Sequence, residues 1–241
     1  MSILLLAFIG GIVSAVSTSV GSLLAPLFSK FETLRKYHMS MDFALGVMLS
    51  AVAFSLVGPE LMKGHHLKLI FSGLVSGGLF ILFTHKLISY FNRDEKYNSY
   101  KTLLVAALIF HNLPEGMGAG ASLAGMNLNE AIPLQMAISI QNVAEGLLLT
   151  MLLQGLGLSL FWSVLGGIIS GLIEMSGAVF AGFLLQDTVT LLPFLLALAG
   201  GAMMMSVLLE VHESISLGKH LKAKDFLGGM LVIPLTNFLM G

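Results

Sequence analysis

Apolar residues fall along this chain in blocks of roughly twenty, separated by brief charged or glycine-rich breaks. A helix needs about 20 predominantly apolar residues to cross a bilayer. The breaks predict eight such spans, at about 3–27, 41–62, 68–91, 101–125, 130–154, 158–185, 190–214 and 224–240. The connections are short and leave no room for a soluble domain, so residues 1–241 read as one transmembrane domain. One break carries its own punctuation. In "GMNLNE" at 125–130, Gly125 can end a helix, and Asn127 with Glu130 has the spacing of a capping pair. The first apolar run has no basic stretch before it and exceeds the length of a signal peptide, so it is expected to be a retained span.

Composition agrees with the pattern. Hydrophobic residues make up 56% of the chain and charged residues 10%, with a mean hydropathy of +0.92. Soluble domains average about 25% charged residues, so this chain is expected to have lipid as its main partner. The net charge of −1 gives no footprint for nucleic acid. The absence of cysteine removes disulfides, thiolate metal sites and thiol nucleophiles.

The basic residues set an orientation. Lys30, Arg35, Lys36, Lys86, Arg93, Lys96, Lys101, Lys219, Lys222 and Lys224, ten of the twelve, lie in or beside alternate connections. Only Lys63 and Lys68 lie on the other side. Excess Lys and Arg marks cytoplasmic loops. The expected architecture is therefore an all-α, eight-span bundle with both termini extracytoplasmic, in a plasma or inner membrane.

Against that background four glutamates stand out: Glu115, Glu145, Glu174 and, nearer a span end, Glu210. An ionisable group at mid-membrane is a functional hypothesis by default, because it costs on the order of 3 kcal/mol to place there. A protonated, hydrogen-bonded glutamate is the structural alternative, but it does not explain two matching motifs. "HNLPEG" begins at His111 and "QNVAEG" begins thirty residues later, at Gln141. His111 and Glu115 are four residues apart, so they share one helix face about 6 Å apart along the axis. Gln141 and Glu145 repeat the spacing, and Asn112 and Asn142 flank the same faces. A short loop makes the two helices antiparallel, so the faces can oppose each other, with Glu174 within reach from the sixth span. Imidazole, carboxylate and amide oxygen together suit divalent ions such as zinc, iron or manganese. Pro114 removes one helical hydrogen bond beside these residues, which is tolerated where backbone lines a polar cavity. Gly116, Gly118 and Gly120 would let another helix approach closely.

These motifs resemble those of the ZIP (Zrt/Irt-like) family of divalent metal transporters. "HNLPEG" is similar to the family's fourth-span motif, and "QNVAEG" to its fifth-span motif in the form with Gln seen in a prokaryotic branch. "SGLIEMSGAVFAG" at 170–182 and "GGAMMMSVLLEVHESI" at 200–215 resemble the sixth and seventh spans, so the resemblance covers nearly the whole chain. It implies a ZIP-like bundle that moves zinc toward the cytoplasm, with iron, manganese or cadmium as other cargo. It also implies up to two ions between the fourth and fifth spans, and alternating access in which the metal-bearing helices move against the remainder. His111, Glu115, Gln141 and Glu145 match one site. Asn112, Asn142 and Glu174 match a second, sharing Glu115 and Glu145. Met48 in "GVMLSA" matches a position near the first site, and His212 with Glu213 a site near the cytoplasmic end of the seventh span. A homodimer is the assembly considered.

Three features depart from the family pattern. Ala144 and Met175 stand where prolines are usual, and "FNRDEKYNSYK" at 91–101 lacks a His-rich tract. His65 and His66 fall in an outside loop, His85 falls beside Lys86 at an interface, and Met203–Met205 reads as packing. An enzyme is disfavoured. Intramembrane zinc proteases use HExxH, whereas Asn112 follows His111 here and only His111 lies at mid-span. No cofactor is expected beyond the transported ion. A zinc-dependent intramembrane hydrolase and a passive metal channel are the alternatives.

Overall fold

A computed structural model describes residues 1–30, 41–91, 96–216, 218 and 220–240. Helices account for nearly all of them: α1 (Ile3–Lys30), α2 (Met41–Ala51), α3 (Gly58–Met62), α4 (Leu67–Phe91), α5 (Lys96–Gly125), α6 (Leu128–Gly155), α7 (Leu160–Asp187), α8 (Leu192–Ser216) and α9 (Ala223–Met240). The second expected span is α2 and α3 together. A π turn at Val52–Leu56 joins them, closed by the bond from Val57 N–H to the Val52 carbonyl. Pro59, which has no N–H to give, sits in the first turn of α3. The predicted break at 125–130 is where it was expected: α5 ends at Gly125, and the Asn127 side chain accepts from Glu130 N–H at 3.1 Å. α1 runs past its expected end at 27 to Lys30, and α5 continues through Pro114 as one helix. Arg35, Lys36, Arg93 and Lys219 of the basic set lie outside the described residues, as do residues 92–95; the rest of the expected 91–101 loop is helical, since α5 starts at Lys96, before the expected span start at 101.

Among the described residues, six stretches are long and apolar enough to cross a membrane: Ile3–Leu27, Met41–Met62, Leu67–Tyr90, Leu128–Gly155, Leu160–Asp187 and Val189–Ser216. Their outer faces are built for lipid. Phe71, Val75, Leu79 and Phe83, four residues apart along α4, are all exposed and form one continuous apolar ridge. A patch of that kind in water would drive association; in a bilayer it is the solvated face. The protein is an all-α, multi-pass membrane protein.

The helices form an unequal arrangement. α1 packs on α5, α6 and α7, and those three pack on one another, giving a four-helix group. α4 pairs with α8 and α2 with α9, and contacts of α5 with α8 and of α2 with α6 join these pairs to the group. Glycines bring the four-helix group together. A Cβ at Gly116 would collide with the Glu174 backbone, and one at Gly177 with the Leu113 carbonyl, so α5 and α7 cross backbone to backbone. Gly21 and Gly146 serve the α1–α6 crossing in the same way, against the Val143 and Thr18 carbonyls. Small residues are the usual means of close helix approach in membranes, where no hydrophobic force drives helices together.

At the end of the bundle holding the α5–α6 turn, Lys63 bonds both Glu60 and Glu130 at 2.9 Å. This ties α3 to the first turn of α6. Burial opposes the Lys63 charge, but the two hydrogen bonds outweigh it and hold the ammonium above its ordinary range. A cavity of about 320 Å³ lies beside this ion group, lined in part by Phe54, Ser55, Met126, Pro133 and Asn237.

Candidate metal centre

α5 and α6 present their polar residues inward, as the four-residue spacing requires. His111, Asn112, Glu115, Gln141, Asn142 and Glu145 are all buried, none more than 3% exposed. His111 Nε2 lies 2.7 Å from Glu145 Oε1 and 3.8 Å from Glu115 Oε2. Gln141 Nε2 donates to Glu115 Oε1 at 3.2 Å. One ligand atom from each of His111, Glu115 and Glu145 lies within 4.8 Å of the others. Two ligands held about 2.1 Å from one zinc ion lie at most about 4.2 Å apart. In the tetrahedral geometry zinc favours, each pair would lie about 3.4 Å apart, so closing the three around one ion takes a contraction of up to roughly 1.4 Å.

The chemistry of the donor set favours a cation. Among the described residues, Asn112 Oδ1, Glu115 Oε2, Gln141 Oε1, Asn142 Oδ1 and both Glu145 oxygens receive no hydrogen bond. Each buried acceptor left unsatisfied costs about 1–3 kcal/mol. Buried acceptors outnumber the donors that reach them here, and a positive ion would stabilise such an excess.

Glu174 stands apart from this triad. Its two oxygens take four hydrogen bonds: from Ser14 Oγ at 2.5 Å and Asn142 Nδ2 at 2.6 Å on Oε2, and from Thr18 Oγ1 at 2.6 Å and Asn112 Nδ2 at 3.0 Å on Oε1. Asn112 also donates to Ser170 Oγ at 2.7 Å, and Asn142 to Ser14 Oγ at 2.6 Å. Glu174 thus meets Asn112 and Asn142, with their nitrogens turned toward it rather than the oxygens that would ligate a metal. Ser14 and Thr18 were not expected from the sequence. Their signal is the four-residue step Ser14, Thr18, Ser22 along α1, all fully buried.

The remaining candidates have the following surroundings. Met48 is buried in an apolar cluster with Leu45 and Val207, against which Met41, Val211 and Phe226 pack. His212 is exposed near the end of α8, and the Glu213 side chain lies outside the described residues. His65 and His66 are exposed in the α3–α4 turn, where His66 has a φ of 58°. His85 lines a shallow surface pocket with Lys86, Ser89 and Tyr90. Glu210 is buried on α8.

Ligation needs the carboxylates ionised and the imidazole neutral, so protons compete with the metal at His111, Glu115 and Glu145. Zinc affinity is expected to weaken as pH falls from about 7 to about 5, with protons released on binding. Glu174→Gln should release fewer protons per ion if that carboxylate joins the same centre. Calorimetry in buffers of different ionisation enthalpy counts the protons. Affinity flat across that range, with no release, would contradict a shared carboxylate centre.

An inward-facing cluster of one imidazole, two carboxylates and amide oxygens, on adjacent helices of a multi-pass bundle, defines a membrane protein that handles divalent metal. Comparison with known proteins narrows the class. The chain is 33% identical over 223 residues to the zinc transporter ZIPB of Bordetella bronchiseptica, covering 85% of this chain and 71% of that one. It is 29% identical over 213 residues to the zinc transporter GufA of Myxococcus xanthus, covering 81% and 83%. No family model matches the chain. The protein belongs to the ZIP family of divalent metal transporters.

Proposed function

We propose that this protein carries zinc across the membrane toward the cytoplasm through the centre on α5 and α6. The observation that carries the reading is the buried His111–Glu115–Glu145 cluster, with its unsatisfied oxygens, inside an otherwise apolar bundle. Both relatives are named as zinc transporters, which supports zinc as the cargo. Iron, manganese and cadmium share the ligand chemistry. His111, Glu115, Gln141 and Glu145 would hold the first ion. A second ion, on Asn112, Asn142 and Glu174 beside the shared Glu115 and Glu145, belongs to the same proposal. It would draw the Glu174 carboxylate away from its partners on α1.

The prokaryotic branch, the single domain, the eight spans and the outside termini are also proposed. The Gln at 141 supports the branch, and the ten-to-two split of basic residues supports the topology. The four-helix group around α1 is the natural moving part for alternating access, since the centre lies wholly within it. A cysteine placed at Asn98 should react only with reagents that enter the cytoplasm, and one at Gly64 with impermeant reagents from outside. The reverse labelling would invert the topology.

Uptake of labelled zinc, iron, manganese and cadmium into proteoliposomes tests the function. Zinc uptake above that of empty liposomes, with accelerated exchange in counterflow, is the expected result for a carrier. Uptake without counterflow would favour a passive channel. No uptake of any of the four metals would remove the reading.

A further inference from the structure

α1 carries no His, Asp or Glu between residues 3 and 27, yet it packs on all three helices that carry the expected ligands of the centre. Two of its hydroxyls end on Glu174, the expected ligand glutamate that the triad leaves out. We propose that Ser14 and Thr18 are positioning residues that hold the Glu174 carboxylate to α1 and thereby set how tightly the centre takes a second ion. The inference rests on the metal-transport reading above and concerns residues that the ligand motifs do not include.

An ionised carboxylate has about four lone-pair sites and no donor. Ser14, Thr18, Asn112 and Asn142 supply four donors, so Glu174 is fully satisfied without metal. Glu115 and Glu145 are not. An ion that recruits Glu174 must first displace some of those bonds, and hydrogen bonds to charged groups are the strong kind. Hydroxyls suit this role because they restrain a carboxylate without adding a positive charge, which would repel the cargo.

Two further details support a hold that can be released. The hydroxyls cannot drift from the site, because the backbones touch: a Cβ at Gly146 would strike the Thr18 carbonyl, and one at Gly171 the Ala15 carbonyl. Thr18 also has a second acceptor in reach. Its Oγ1 lies 3.3 Å from the Ser14 carbonyl, against 2.6 Å from Glu174 Oε1. When the carboxylate swings to metal, that hydroxyl returns to its own helix rather than remaining unsatisfied. The same carboxylate is thus shared between α1 and the cargo.

The test compares zinc binding by the full-length wild type and the Ser14→Ala/Thr18→Val double variant, using zinc alone with chelator competition to resolve two sites. The wild type should bind one ion tightly and a second at least about tenfold more weakly, since one hydrogen bond to a charged group is worth about a factor of ten or more. In the double variant the second affinity should rise by about tenfold or more. In proteoliposomes its KM for zinc and its kcat should both fall, because the ion is held rather than passed on. Ser14→Thr/Thr18→Ser keeps both hydroxyls and should restore the wild-type values, which general loosening of the helix would not do. Should the double variant fail to fold, Thr18→Val alone should show an intermediate rise. An unchanged or weakened second affinity in whichever variant folds overturns the proposal. Wild type that binds one ion, lost in Glu145→Ala, keeps the transport reading intact in that event. Wild type that binds no zinc at all overturns both.

Discussion

Replacing His111 or Glu115 by alanine is expected to cut zinc uptake in proteoliposomes to background, on the order of 100-fold or more, in protein that still folds. Loss of supporting groups around a metal typically costs 10–100-fold, and these two are in the ligand cluster itself. His111 lies 2.7 Å from Glu145 and 3.8 Å from Glu115, so its removal takes one ligand and leaves two carboxylates facing each other without their neighbour. Glu115→Ala removes a ligand and frees Gln141 Nε2, its hydrogen-bond donor. Folding should survive, because Glu115 Oε2 is a buried, unsatisfied oxygen that costs the fold, and the change gives up a single hydrogen bond, from Gln141. Near-normal uptake by a well-folded Glu115→Ala protein, at matched reconstitution, would refute the centre as drawn.

Valine at Gly116 or Gly146 should be nearly as damaging, by a different route. These glycines follow the glutamates of the two motifs, and each lies at a helix crossing. A Cβ at Gly116 meets the Glu174 backbone, and one at Gly146 the Thr18 carbonyl, so neither clash can be relieved by turning a side chain. Overpacking typically costs about 1–3 kcal/mol, and a clash with backbone belongs at the upper end or beyond. The expected result is a lower melting temperature together with loss of zinc binding, because the helices carrying Glu174 and Thr18 are pushed off. Gly157→Ala, in an exposed turn with nothing near its Cβ but a φ of +93°, should lower the melting temperature through local backbone strain and leave zinc binding unchanged. A Gly116→Val protein with wild-type melting and binding would show that the crossing is looser than described.

The matching motifs made half of the centre legible in the sequence. His111 with Glu115 and Gln141 with Glu145 are each spaced to share a helix face, and ionisable groups are conspicuous among apolar neighbours. The turn between Gly125 and Asn127 was equally readable, since glycine stops and asparagine caps act locally. Ser14 and Thr18 were not readable in the same way. Hydroxyls in a membrane helix ordinarily bond their own backbone, as Ser17, Ser19 and Ser22 do here. Only the relative register of α1 and α7, residues 160 apart for Ser14 and Glu174, separates the two cases. Met48 is a further case in which spacing alone is silent. The family resemblance matches it to a position near the first site, and the structure gives it Leu45 and Val207 as buried neighbours. Helix spacing reports which residues share a face; it does not report which face a distant helix will meet.

Lys63, Glu60 and Glu130 have a mechanical consequence. The seam they close is fastened by charge, beside a cavity, where the α1–α6 and α5–α7 crossings are locked by backbone shape. With Lys63 and Glu130 each over 40% exposed, such pairs contribute only about 0–1 kcal/mol and weaken in salt. The fastening holds while Lys63 is charged. Its folded value lies above the ordinary 10.5, so the contribution is fully present below that pH and is lost only as pH rises through the higher value. Across the pH range in which the metal centre responds to protons, the fastening is constant. The molecule is therefore stiff through its glycine crossings and compliant along one rim, and the compliance is independent of the acidity that governs its cargo.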